Sequence, residues 1–186
     1  MKNIIFIFLL IIFGSLTVFA QTVPPQKSAD KLLEREKFDP TRSAAEDLQA
    51  TMTKAKAENK RIILDVGGEW CGWCRNMDFF FLRHNDLAKL RDENFIWLKI
   101  NMSQENENKE FLAKYPEIKG YPHLFVLDKD GALLHSQDTS PLEQEKSYNL
   151  QRFFLFQRRS VLRMKQRAVF VQHEQMRITF DGRIFR

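Results

Sequence analysis

Two cysteines separated by two residues are the part of this sequence best suited to carry chemistry. Cys71 and Cys74 are the only cysteines among 186 residues, and they stand in the segment EWCGWC at 69–74. Near a helix N-terminus, partial positive charge and unpaired N–H groups favour a thiolate over a thiol. Cys71 is therefore the candidate attacking thiol. Cys74, one helical turn further on, is the candidate thiol that resolves a mixed disulfide.

Other uses of the same cysteine pair remain open. A structural zinc site needs four protein ligands, and the sequence contains no second CxxC and no HxxxH motif. A soft metal could be held by Cys71 and Cys74 with His123 as a third ligand. The pair could also be an inert structural disulfide. A preceding strand, a following helix and an export signal favour the redox interpretation.

The elements predicted around the cysteines describe an α/β protein. The apolar run 61–66 predicts a strand before the motif, and 74–83 predicts a helix after it. Further segments have helical or strand periodicity: helices at 43–59, 106–115 and 148–167, and strands at 95–102, 123–127 and 132–136. Strands separated by helices pair in parallel, and the last two strands form a hairpin. The expected fold is a small mixed sheet flanked by helices.

The first twenty residues have the pattern of a signal peptide. Lys2 precedes an apolar run at 4–13, and Val18-Phe19-Ala20 provides a cleavage site. We expect cleavage after residue 20, a linker at 21–43, and a periplasmic or secreted mature protein. The alternative is an uncleaved anchor facing the periplasm, because 4–20 is just long enough to approach a bilayer span.

Charge is distributed unevenly along the chain. The net charge is +5, yet residues 151–186 hold nine Lys and Arg against two Asp and Glu, whereas 21–150 carry a net −3. The basic excess thus lies at the end of the chain, where we call residues 157–186 the basic C-terminal extension. The extension is either a solvated helix face or a weak contact for an anionic membrane or an acidic partner.

Three segments together resemble a known family. LDVGGEWCGWC, followed by Lys99-Ile100-Asn101 and then Gly120-Tyr121-Pro122, is similar to thioredoxin. More narrowly, it resembles secreted bacterial thioredoxin-like proteins with a WCxWC centre. The resemblance implies a thioredoxin fold over 44–156. It also implies a cis Pro122 beside the thiols, so that the Tyr121 backbone can pair with an extended substrate strand.

The resemblance implies roles for further residues. Asp65 lies six residues before Cys71, at the position of the family's buried acid, and is a candidate to accept the Cys74 proton during resolution. Lys99 would neighbour that acid. His123 departs from the family pattern: it could titrate near neutral pH and influence Cys71, or be a partly exposed strand residue. Other residues are expected to form the motif turn or the substrate surface: Trp70, Gly72, Trp73, Tyr121 and Pro122.

The sequence thus predicts a monomeric thiol–disulfide oxidoreductase that acts on protein disulfides, in the reducing direction. It would exchange electrons with another thiol protein and would use no cofactor and no nucleic acid. Three alternatives stay open. They are an oxidase or isomerase of the same fold, a non-catalytic binding module on a thioredoxin scaffold, and a soft-metal chaperone.

Overall fold

A four-stranded mixed sheet forms the centre of the protein. The computed structural model describes residues 35–162. The strands are β1 (Arg61–Gly67), β2 (Phe95–Asn101), β3 (His123–Leu127) and β4 (Leu133–Asp138). Their order is β2-β1-β3-β4, with β1 parallel to β2 and antiparallel to β3, and β4 antiparallel to β3. The predicted parallel pair and edge hairpin are confirmed.

Helices cover both faces of this sheet. They are α1 (Ala44–Glu58), α2 (Gly72–Arg83), α3 (Asn85–Asn94), the short α4 (Lys109–Leu112) and α5, whose described part is 150–162. A 3₁₀ turn (Ser140–Leu142) and a two-stranded ribbon of β5 (Glu143–Gln144) and β6 (Ser147–Tyr148) precede α5.

The central strand β1 separates two hydrophobic clusters. Every residue of β1 is buried, as expected for a strand between two neighbours with both faces covered. Alternate side chains point to opposite faces. Ile62 and Leu64 pack with Ala55 of α1, whereas Ile63 packs on the other face with Met77 of α2 and with α5. The cysteine-bearing helix α2 therefore lies on the Ile63 face.

Two helices differ from the sequence prediction. Only Lys109–Leu112 is helical within the predicted 106–115, because Asn108 adopts a left-handed conformation (φ 47°) immediately before it. The helix α3 was not predicted at all. It is strongly polar and contributes only Leu87 as a buried residue, so its apolar periodicity is weak.

The described region also extends beyond both ends of the predicted domain. Residues 35–43, expected to belong to the linker, are mostly exposed but carry Phe38, which is 3% exposed and packs into the domain. Helix α5 continues across the predicted boundary at 156, with Gln157 and Ser160 buried. The predicted signal peptide, the linker before residue 35 and the basic extension after 162 lie outside the described residues. Within 35–162, none of the helices has the length and apolar character needed to span a bilayer.

Candidate active site

Cys71 and Cys74 form a disulfide at the N-terminus of α2. Cys71 is the N-cap of this helix, and the Cys74 backbone N–H donates to Cys71 Sγ at 3.0 Å. The helix begins at Gly72, two residues earlier than predicted, so both sulfurs lie on its first turn. Cys71 is 4% exposed and Cys74 is fully buried. The first sulfur therefore receives a backbone hydrogen bond at the positive end of the helix dipole.

Glycines before the motif allow close packing around the sulfurs. A Cβ atom at Gly67 would lie 2.5 Å from Cys74 Sγ, and one at Gly68 would lie 2.5 Å from Trp70 Nε1. Gly72 is different. A Cβ there would meet nothing within 4 Å, and its backbone is helical. Glycine is therefore not required at Gly72 for packing, whereas Gly67 and Gly68 have no room for a side chain.

An aromatic pair borders the disulfide. Trp70 is 57% exposed, and its Nε1 donates to the Met102 carbonyl oxygen at 2.7 Å. Its ring lies edge-on to Tyr121 with centroids 5.5 Å apart, and Tyr121 packs against the cysteines. The Tyr121–Pro122 peptide bond is cis, as the resemblance implied. These residues present a partly exposed apolar surface beside the sulfurs.

Trp73 is held by the body of the domain. Its ring lies edge-on to Tyr148 with centroids 5.4 Å apart, and the Tyr148 hydroxyl donates to the Trp73 carbonyl oxygen at 3.2 Å. Trp73 also packs against the cysteine pair. Two of the three phenylalanines that follow on α2, Phe80 and Phe81, are buried, whereas Phe79 is 45% exposed.

The predicted acid of β1 is buried next to its predicted lysine. Asp65 is 0% exposed, and its Oδ2 accepts hydrogen bonds from Lys99 Nζ at 3.0 Å and from Trp97 Nε1 at 3.1 Å. Asp65 and Lys99 are paired across β1 and β2. Sequence reasoning missed Trp97, although it stands two residues before Lys99 and so on the same face of its strand.

Lys99 joins Asp65 to further charged groups. Its ammonium also contacts Asp78 Oδ1 at 2.8 Å, and Arg35 forms ion pairs with both Asp78 and Glu69. Sequence reasoning missed Asp78, Glu69 and Arg35. Asp78 lies four residues after Cys74 and so on the same face of the helix. This spacing could have identified it as a neighbour of the site.

Burial and ion pairing shift the pKa values of the groups in this cluster in different directions. Burial lowers the pKa of Lys99, but the carboxylates of Asp65 and Asp78 outweigh it, so the pKa is raised. Burial, with a smaller contribution from the Asp65 charge, raises the pKa of Asp78 against the opposing effects of Lys99 and Arg35. The hydrogen bond from Arg35 is the main reason that the pKa of Glu69 falls to about 2. Lys99 thus lies between the carboxyl groups of Asp65 and Asp78. Arg35 connects Asp78 to the more exposed Glu69.

His123 is a buried residue on the other side of the sheet. It is 4% exposed, its Nε2 lies 2.8 Å from Ser136 Oγ, and its ring contacts Phe125 with centroids 4.7 Å apart. Phe125 packs with α1, opposite the face that carries α2. Burial lowers the pKa of His123. The interpretation of His123 as a partly exposed strand residue is therefore wrong, and its burial, which opposes protonation, weighs against a role in tuning Cys71.

No group of three or more His, Cys, Asp or Glu side chains with metal-binding geometry occurs within residues 35–162.

Comparisons with known proteins, like the geometry of the cysteine pair, indicate similarity to thioredoxin-like proteins. A family model described as thioredoxin-like matches residues 43–129. The thiol:disulfide interchange protein DsbD of Colwellia psychrerythraea is 26% identical over 136 residues, which is 72% of this chain and 22% of that protein. The chain thus spans about a fifth of the length of this curated relative. A thioredoxin H-type of Oryza sativa subsp. indica is 34% identical over 87 residues, 47% of this chain and 64% of the relative.

A solved structure shows the same fold. The disulphide isomerase from Xylella fastidiosa Temecula1 superposes with a TM-score of 0.50 at 24% identity, covering 56% of this chain and 79% of that one.

Proposed function

We propose that the chain exchanges disulfides with other proteins through Cys71 and Cys74, and its match to a thioredoxin-like family model over residues 43–129 supports this proposal. One observation carries this proposal: Cys71 Sγ caps α2 and accepts the Cys74 N–H. A sulfur in this position is stabilised as an anion by the helix dipole and by a backbone donor. The thiolate is the nucleophilic form of cysteine, so the geometry suits attack on a disulfide.

The reducing reaction proceeds in two exchange steps. The Cys71 thiolate attacks one substrate sulfur, the substrate S–S bond breaks, and the second substrate sulfur leaves as a thiol. Cys74 then loses its proton and attacks Cys71 Sγ, which releases the first substrate sulfur and forms the Cys71–Cys74 disulfide. Two electrons pass from the dithiol to the substrate. A second thiol protein must then reduce the chain's own disulfide.

Asp65 is the group we assign to the Cys74 proton. It is fully buried on the sheet face that α2 covers, and Trp97 and Lys99 hold its Oδ2. Lys99 would act on this step by orienting the carboxylate. The assignment suits the reducing direction, in which Cys74 must lose its proton before reduced substrate is released. An oxidase or isomerase of the same fold is the rival.

The substrate surface is proposed to lie along the aromatic pair. Trp70 and Tyr121 are exposed enough to contact a peptide, and the backbone of Tyr121 before Pro122 would pair with an extended substrate strand. Gly72 and Trp73 would face the same peptide from the start of α2. His123 is left out of this surface, because it is buried behind the sheet.

The setting of the protein is proposed from its sequence. Cleavage of residues 1–20 would place a monomeric mature chain in the periplasm or outside the cell, where disulfides persist. An uncleaved anchor facing the periplasm is the alternative. The basic residues after 150 would give at most a weak contact with an anionic membrane.

An insulin-reduction assay on residues 21–186 tests the function. The parent protein with dithiothreitol should precipitate insulin B chain well ahead of dithiothreitol alone, and Cys71→Ser should fall to that background. Circular dichroism should show that Cys71→Ser keeps its fold. Equal rates for the parent and Cys71→Ser would exclude catalysis by this pair and leave a binding module.

A further inference from the structure

The segment before α1 is fastened across the cysteine motif. We call residues 35–42 the N-terminal strap. Arg35 pairs with Glu69, which lies two residues before Cys71, and with Asp78 on α2. The Phe38 backbone N–H donates to Glu69 Oε1 at 2.9 Å. The strap is therefore attached both before and after the two cysteines.

A second attachment lies at the other end of the strap. Asn106 Nδ2 donates to the Pro40 carbonyl oxygen at 2.9 Å and to the Arg42 carbonyl oxygen at 3.3 Å. Asn106 belongs to the loop between β2 and α4. Phe38 thus sits between two points at which side chains hold the strap to the domain.

Phe38 packs directly on the disulfide. It is 3% exposed and forms a buried cluster with Cys71 and Cys74. A Cβ atom at Gly67 would lie 3.1 Å from Phe38 Cζ and 2.5 Å from Cys74 Sγ, so the ring and this sulfur pack over the same glycine. The Lys99 ammonium lies 4.1 Å from the ring centroid, within cation–π range. Phe38 is therefore held from two sides against the buried sulfur.

We propose that the N-terminal strap positions the redox site, with Phe38 shielding Cys74 so that outside thiols and disulfides react only at Cys71. This role rests on the proposed function. The experiment that tests it, however, measures how accessible the Cys74 thiol is, and not how fast the protein reduces a substrate. Trp73 and Tyr121 also touch the cysteines, but Trp73 belongs to the motif and Tyr121 to the loop just before β3. Of these three aromatic residues, only Phe38 belongs to a segment that ion pairs and side-chain hydrogen bonds attach to the rest of the domain.

Shielding matters because the attacked sulfur decides the outcome. When a donor thiolate attacks Cys71 Sγ, the S–S bond breaks, Cys74 leaves with the electron pair and takes up a proton, and the donor is bonded to Cys71. Cys74, or the second thiol of the donor, can then resolve that bond. Attack at Cys74 would place the donor on the buried sulfur. Which sulfur reacts is controlled by access as well as by leaving-group character.

Alkylation of Cys74 alone measures this shielding. In a Cys71→Ser background of residues 21–186, Cys74 is the one thiol, and its pseudo-first-order rate with iodoacetamide is followed by mass spectrometry. Phe38→Ala should raise this rate by about tenfold or more, because removal of the ring opens the side of Cys74 that it covers and access controls thiol reactivity. Phe38→Leu should stay close to the parent, since it keeps an apolar cover.

The Arg35 attachment supplies a second, milder pair of variants. Arg35→Gln should raise the Cys74 rate several-fold by loosening the strap, and Arg35→Lys should recover part of the protection. Lys37→Gln, at an exposed strap position, is the matched control and should leave the rate unchanged. Circular dichroism and thermal unfolding identify variants that have lost the fold.

An unchanged Cys74 rate in folded Phe38→Ala would overturn the proposal. Should Phe38→Ala fail to fold, an unchanged rate in folded Arg35→Gln would overturn it equally. Failure of the proposed function is distinguishable, because it appears as inactivity of the parent in insulin reduction while the alkylation series is unaffected.

Discussion

Lys99 is the cation that two buried carboxyl groups share. Its side chain is 5% exposed, that of Asp65 is 0% exposed, and that of Asp78 is 12% exposed. Replacement by Met would keep most of the side-chain volume and leave both acids without their common partner. We expect Lys99→Met to lower the free energy of unfolding by roughly 3–5 kcal/mol, the usual cost of breaking a buried pair.

Urea unfolding at pH 7 measures this loss. Lys109→Met is the matched control, because Lys109 pairs with Glu107 through a side chain that is 79% exposed, where water screens the interaction and little stability is lost with it. Equal losses for the two variants would show that Lys99 does not stabilise the buried acids.

Glu69 should make stability depend on pH in the acid range. Its pKa falls from 4.5 to about 2 in the folded protein, mainly through the Arg35 hydrogen bond. A depressed folded pKa contributes stability that is fully present above the unfolded value and is lost as pH falls through the folded one. The loss of stability in Glu69→Gln should therefore be full at pH 7 and roughly halved by pH 3. Urea unfolding of both proteins across this range checks it, and a pH-independent difference would contradict it.

His123 should remain neutral under physiological conditions. Burial lowers its pKa below the ordinary value of 6.5, so its imidazole protons in an NMR titration should shift with a midpoint under pH 6.5. Because the folded protein binds the proton on His123 less readily than the unfolded chain does, the free energy of unfolding should fall as the pH is lowered below 6.5. A midpoint at or above pH 6.5 would restore His123 as a candidate modulator of the site.

Residues with local signals were predictable, and residues placed by tertiary contacts were not. Cys71 and Cys74 show their chemistry through spacing, and Asp65 and Lys99 through the family resemblance. Phe38 and Arg35 looked like linker residues, since nothing in a polar, proline-containing segment reveals the surface against which it packs. His123 was misjudged because strand position alone does not say how well each face is covered.

The junction of β1 with α2 depends on one glycine of the motif region and not on another. Gly67→Ala would bring a methyl group to 2.5 Å from Cys74 Sγ, so either the sulfur or the strand end must move. Gly72→Ala meets nothing within 4 Å and replaces a poor helix former, which should stabilise the protein by up to about 1 kcal/mol.

Thermal unfolding of the two oxidised variants makes the comparison. Gly67→Ala should melt below the parent and lose activity in insulin reduction, whereas Gly72→Ala should melt at or above it and stay active. A stable, active Gly67→Ala would mean that the sulfur is packed less closely than the structure shows.

Elements with strong apolar patterns were predicted well. The strand at His123–Leu127 matches its predicted range, and α1 lies between the predicted ends, with Ser43 as N-cap and Asn59 as C-cap. The weakly amphipathic α3 was missed, and α4 is shorter than predicted, because a left-handed residue interrupts the segment. Hydrophobic periodicity in a sequence arises from burial of one helix face. The helices α3 and α4 each bury only one side chain, so their periodicity is weak.

The direction of electron flow is a property of the whole molecule. A reductase needs a dithiol that gives up electrons readily, so we expect a potential below about −200 mV in a glutathione redox titration. Trp97→Phe removes one donor to Asp65 and should change the pH dependence of turnover more than the potential. A parent potential well above −200 mV would favour oxidase or isomerase behaviour.

The central claim is that the first sulfur of the motif is an anion at neutral pH. The direct measurement is the rate at which the single thiol of reduced Cys74→Ser reacts with iodoacetamide between pH 5 and pH 9, compared with free cysteine, whose pKa is about 8.5. We predict that Cys71 reacts several-fold faster than free cysteine at pH 7 and that its rate levels off below pH 8. A rate at pH 7 no greater than that of free cysteine would contradict the account.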